Sequence, residues 1–119
     1  MFVGNLSRLN QLRVGNNSLS SLSDLVGADG LEYIYAGNNR ISQVDDLVGL
    51  PNLRALHLSN NRLRDLDAIS QMSNLEELAV GNNRLDYLDG IEGAERLRWL
   101  DFSGNTYISD LSPLQALSN

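Results

Sequence analysis

Residues 79–85 read AVGNNRL, and near-copies stand as YAGNNRI at 35–41 and HLSNNRL at 57–63, each displaced by 22 residues. Asparagine forms neither helices nor strands well and is costly to bury without hydrogen-bond partners. Its recurrence beside apolar residues therefore implies a fixed polar duty. Aligned on that period, the chain divides into five units, 6–27, 28–49, 50–71, 72–93 and 94–115. Such self-similarity marks a solenoid, in which each unit buries its apolar side only against its neighbours.

The apolar columns are regular. Leu9, Leu31, Leu53, Leu75 and Leu97 open the units, followed three residues later by Leu12, Ile34, Leu56, Leu78 and Leu100, and two further on by Val14, Ala36, Leu58, Val80 and Phe102. Alternation over these last two columns puts them on one side of a short strand and the intervening residues on the other. Asn17, Asn39, Asn61, Asn83 and Asn105 follow in register, and Leu19, Ile41, Leu63 and Leu85 close the motif. Behind them Leu22, Val44, Leu66, Leu88 and Leu111, then Leu25, Leu47, Ile69, Ile91 and Leu114, are spaced by three, which suits a tight 3₁₀-like turn. One extra residue near Thr106 and Tyr107 is absorbed by a loop, after which ISDLSPL restores the register.

The pattern L-x-x-L-x-L-x-x-N-x-L resembles the leucine-rich repeat in all five units, and the unit length with ISDLSPL resembles its bacterial, internalin-like class. The resemblance implies an α/β fold: a right-handed solenoid with a parallel β-sheet arc and short helical or 3₁₀ turns on the convex side. It covers 1–119 as a single array. Val3 falls in register with Leu25 and Leu47, and Asn119 stands just before the next leucine column. Neither end carries a polar capping sequence, so the array is expected to be a fragment of a longer one, open to end-to-end association.

The second Asn of each pair offers an acceptor and two donors, and is expected to satisfy its own turn and the next coil together, as a structural ladder. The first Asn, preceded by Gly15, Gly37 or Gly81, is placed where the strand bends and unusual backbone angles are needed. Ser23, Asp45, Asp67, Asp89 and Ser112 form another column. Its mixture of Ser and Asp favours N-caps of the turns over a calcium row. Arg40, Arg62 and Arg84 read as solvated surface paired with Asp65 or Asp86.

Function is then left to the outward face of the sheet. Its rows read Asn10, Glu32, Arg54, Glu76, Arg98; Gln11, Tyr33, Ala55, Glu77, Trp99; and Arg13, Tyr35, His57, Ala79, Asp101. Nothing in the core pattern requires rings there, and aromatic and Arg side chains anchor protein interfaces. Arg13, Tyr33, Tyr35, Arg54, His57, Glu77, Trp99 and Asp101 are the expected partner-binding set. Tyr35 and His57 should be cross-strand neighbours, with Trp99 a second, separate anchor. The function expected is non-catalytic recognition of a protein, with no cofactor and no metal. Family resemblance implies adhesion or host interaction at a bacterial cell surface or after secretion. The alternative is a structural or regulatory array inside a larger intracellular protein.

A weaker alternative is sugar binding or glycoside hydrolysis at Glu76, Glu77, Trp99 and Asp101. With one His and no Cys, no triad motif is present, and VGNN lacks phosphate-loop spacing. The net charge of −6 argues against a nucleic-acid partner. No apolar run is long enough to insert in a membrane, and MFVGNLSRL lacks the pattern of a signal peptide.

Overall fold

In a computed structural model, residues 8–117 are described; Val3, Asn119 and the register read at them lie outside that range. Among the described residues, five three-residue strands alternate with five 3₁₀ turns. The strands are β1 Gln11–Arg13, β2 Tyr33–Tyr35, β3 Ala55–His57, β4 Glu77–Ala79 and β5 Trp99–Asp101. They pair in parallel in chain order, and the central residues Leu12, Ile34, Leu56, Leu78 and Leu100 stand directly beside one another. The strands are short because only L-x-L alternates. The residues after it turn inward at once to build the far side of the coil.

Between the sheet and the turns lies one continuous core. Ile34, Leu56 and Leu78 are fully buried, as are Leu31, Leu58, Leu63, Leu75 and Leu85. Leu12 and Leu100, in the outermost strands, are only partly covered, because each has a neighbouring strand on one side alone. Leu111 reads as a core-column leucine but is 55% exposed in the last described turn.

The paired asparagines divide the work. Asn16, Asn38, Asn60 and Asn82 have φ between 52° and 60°, and Gly104 holds the same place in the fifth unit at 77°. Asparagine enters this left-handed region more readily than other residues with a side chain, which explains its use at the bend. The preceding glycines serve a different purpose from the one the sequence suggests, since none of them has positive φ. A Cβ on Gly37 would lie 3.3 Å from the Ser59 carbonyl oxygen, so the position favours small residues, and serine occupies it at 59 and 103.

The second asparagines do form a ladder, directed to the preceding coil rather than the next. Asn61 Nδ2 donates to the carbonyls of Ala36 and Leu58, both at 3.0 Å, and its Oδ1 accepts from the Ile41 N–H at 2.9 Å. Asn39 joins Val14, Ala36 and Leu19 in the same way, and Asn83 joins Leu58, Val80 and Leu63. Asn105 Nδ2 reaches Val80 and Phe102, while its Oδ1 accepts from Leu85 and Asn83. Asn17, in the first described coil, is exposed and, among the described residues, bonds through Nδ2 to its own turn at Val14 and Gly15.

The capping column also requires correction. Ser23, Asp45, Asp67 and Ser112 are the first residues of the turns, and no side chain caps from the N-cap positions Leu22, Val44, Leu66 or Leu111. The side chain two residues upstream accepts instead. Ser23 N–H donates to Ser21 Oγ, Asp45 N–H to Gln43 Oε1, Asp67 N–H to Asp65 Oδ1 and Ser112 N–H to Asp110 Oδ1. In the fourth unit Gly90 starts the turn at φ 106°, and its N–H is met by Glu92 Oε1. Asp89 therefore precedes that turn without capping it.

Candidate functional site

Register places the outward rows of the sheet as the alternation predicts. Gln11, Tyr33, Ala55, Glu77 and Trp99 form one row and Arg13, Tyr35, His57, Ala79 and Asp101 the other. Within the second row the Arg13 guanidinium lies 4.4 Å above the Tyr35 ring, and Tyr35 meets the His57 ring at 4.8 Å. The small side chain of Ala79 leaves a gap on β4, through which the Trp99 ring reaches His57. The two rings stack at 5.7 Å with planes 12° apart. Trp99 is thus the end of one aromatic strip, Arg13–Tyr35–His57–Trp99, instead of a separate anchor. Five strands set the strip's length at roughly 19 Å. Trp99 remains 48% exposed, with Tyr35 and His57 half-buried.

Beside the strip lies a charged row. Arg54 Nε donates to Glu76 Oε2 at 2.9 Å, and its Nη1 stands 3.7 Å from Glu32 Oε1 and 3.4 Å from the Tyr33 hydroxyl. Arg98 approaches the other oxygen of Glu76 at 3.7 Å. The hydrogen bond from Arg54, with the charges of Arg54 and Arg98, holds the Glu76 carboxyl below its ordinary range against the opposing effect of desolvation. Arg54 is correspondingly raised, first by that same hydrogen bond. Being engaged by acids of its own sheet, Arg54 is an orienting member of the face, less free for a partner than the residue pattern alone suggests. The sequence assigned Arg54 only to the partner-binding set, and geometry pairs it with Glu76.

Glu77 Oε2 lies 3.4 Å from His57 Nε2, so the imidazole carries an acid beside its stacked face. Asp101 is directed at its own turn. Its Oδ1 accepts from the Ser103 hydroxyl at 2.7 Å and the Ser103 N–H at 3.0 Å, and these bonds hold its carboxyl below the usual aspartate pKa. A glycosidase acid must be kept protonated near neutrality. Glu76 and Asp101 are both pushed the other way.

Arg40, Arg62 and Arg84 stand exposed on the flank beyond the ladder. Among the described residues no ion pair joins them to Asp65 or Asp86, the pairing read from sequence.

A two-copy leucine-rich-repeat family model matches residues 29–71 and 51–93, together more than half of the chain. No curated protein matches it. Among solved structures, an internalin (InlF) from Listeria monocytogenes is 33% identical with a TM-score of 0.88, over 96% of this chain and 34% of its own. Internalin C2 from the same strain is 26% identical, TM-score 0.74, over 93% and 58%. The leucine-rich-repeat ectodomain of the receptor kinase SOBIR1 from Arabidopsis thaliana is 34% identical, TM-score 0.72, over 89% and 61%. The chain therefore spans between about a third and three-fifths of these proteins' lengths.

Proposed function

The chain belongs to the leucine-rich repeat family, and from that premise we propose that it is a non-catalytic recognition module which binds a protein through the outward face of its sheet. The observation that carries this reading is the aromatic strip from Tyr35 through His57 to Trp99. Hydrophobic columns and the asparagine ladder account for folding without it. Aromatic side chains have large contact area and few rotamers to lose, which makes them efficient centres of protein interfaces.

The contact set is Arg13, Tyr33, Tyr35, Arg54, His57, Glu77, Trp99 and Asp101. In this reading Tyr35, His57 and Trp99 fill apolar recesses of the partner, while Arg13 stiffens Tyr35 from one side. Arg54 fixes Tyr33 and Glu76, and Glu77 and Asp101 set a polar rim. Mixed charge along this face favours a folded protein over a uniform polyanion. Likeness to internalins and a receptor ectodomain supports recognition outside the cell, where an adhesive or host-contacting role would lie.

With a partner captured by pull-down and purified, Tyr35→Ala and Trp99→Ala should each weaken binding by about 2 kcal/mol or more, roughly 30-fold in Kd, with an unchanged melting temperature. Arg62→Gln should leave this affinity nearly unaltered. Silent aromatic variants and a decisive Arg62 would move the site to the flank.

A further inference from the structure

On the flank just past the ladder, two cavities of about 550 Å³ and 360 Å³ adjoin and share Arg64 and Arg84 among their lining residues. The larger also presents Arg40 and Arg62, with the hydroxyls of Ser20 and Ser42. The smaller runs on to Thr106 and Tyr107, whose ring is 76% exposed. We infer that this groove binds an extended anionic polysaccharide, one carrying a carboxylate or sulfate on successive sugar rings.

Charge is the first ground. The chain carries a net charge of −6, yet four of its nine arginines gather along this groove. Among the described residues none of the four has an ion-pair partner, whereas Arg54 and Arg98 on the sheet face do. Two acids also line the groove, Asp65 in the larger cavity with Oδ1 occupied as acceptor for Asp67 N–H and Asp86 in the smaller, so the arginines outnumber them two to one. Stacked guanidinium groups repel one another, and a multivalent anion relieves that repulsion with paired hydrogen bonds to each carboxylate or sulfate.

Spacing is the second. The backbone N–H groups of Arg40, Arg62 and Arg84 donate to Leu19, Ile41 and Leu63 of the preceding coils at 2.7, 2.8 and 2.7 Å, so the comb is locked at one arginine per coil. Coils repeat at about 4.8 Å. A polymer that repeats an anionic group at regular intervals, as a polysaccharide of charged rings does, suits such a comb.

The lining supplies the third. Arginines, serine hydroxyls and Asp65 make up the larger cavity, and apolar surface is concentrated at the Leu85 and Tyr107 end of the smaller one. Tyr107 offers an open ring at one end, suited to stacking on the apolar face of a sugar. This site is distinct from the aromatic strip and stands or falls independently of it.

Calorimetric titration of the chain with oligogalacturonate, heparin oligosaccharide, dextran and poly-glutamate of matched length tests the assignment. Binding of either anionic sugar, with none for dextran, is expected, and the two arms separate carboxylate from sulfate recognition. Raising salt from about 0.05 to 0.5 M should weaken binding strongly. The combined variant Arg40→Gln, Arg62→Gln, Arg84→Gln should lose about tenfold or more in affinity. Arg62→Gln alone and Tyr107→Ala should lose several-fold, which keeps the test decisive if the combined variant fails to fold. Trp99→Ala should bind as the wild type does. Poly-glutamate binding as tightly as both sugars would replace the polysaccharide with an acidic protein segment. Absence of binding to both anionic sugars, or binding abolished by Trp99→Ala and untouched by the arginine variants, would overturn the assignment.

Discussion

Two adjacent asparagines with the same side chain do opposite jobs in each coil. Asn61 joins two coils through bonds to Ala36, Leu58 and Ile41, while Asn60 contributes a backbone angle of φ 60°. Asn61→Ala should therefore cost about 1–3 kcal/mol in chemical denaturation, and more if several stranded groups find no water. Asn61→Asp keeps the acceptor but loses the donations and faces carbonyls with a charge, so it should not rescue. Asn60→Gly should be nearly neutral, whereas Asn60→Ala should cost about 1 kcal/mol through left-handed strain. Equal losses for Asn60→Gly and Asn61→Ala would refute this division. Acid sensitivity belongs to the same scale. Glu76 and Asp101 have depressed folded-state values, so their contribution is complete above the ordinary carboxyl range and is lost as pH falls through the folded values. The melting temperature should hold from neutrality to about pH 5 and decline below about pH 4, and side-chain NMR titration should find both groups ionised below the usual carboxyl midpoint.

At the scale of the element, the five turns show where pattern reading stops. Their existence follows from apolar residues spaced by three, but the residue that caps them does not. Ser and Asp at the first turn position have the right chemistry for a cap one residue too far along, and Ser21, Gln43, Asp65 and Asp110 supply the acceptors instead. That second column mixes Ser, Gln and Asp, so composition alone gives little sign of it. Asp65→Ala should cost about 1 kcal/mol, as the loss of a cap does, while Asp67→Ala should be close to neutral. Denaturation midpoints in which the two exchange roles would restore the sequence-level assignment. The strands were more legible, because Leu and Ile at alternate positions leave one choice of buried face. Pairing of Tyr35 with His57 follows from their 22-residue offset, and the ring contact at 4.8 Å accords with it. Contact between His57 and Trp99 skips a strand, and its only trace in the sequence is the alanine at 79.

Across the whole molecule, each coil is stabilised by its neighbours, so the centre should be least tolerant of damage. Leu56→Ala removes a fully buried side chain from the middle strand and should cost about 2–5 kcal/mol. A loss below about 1 kcal/mol would contradict the packing described. Periodicity made this core readable, since a repeated error would have to recur in every unit. It carries much less information about binding, which resides in the positions that do not repeat. The rows at 33, 35, 57 and 99 could be singled out, whereas the engagement of Arg54 with Glu76 and the direction of Asp101 depended on geometry. The chain's single tryptophan stands in the proposed contact face, 48% exposed and stacked on His57. Acrylamide quenching of Trp99 emission, with and without a saturating protein partner, is therefore the most direct test of recognition through the sheet. The account predicts a blue shift and a clear fall in the quenching constant when the partner binds. Full binding with emission and quenching both unchanged would contradict it.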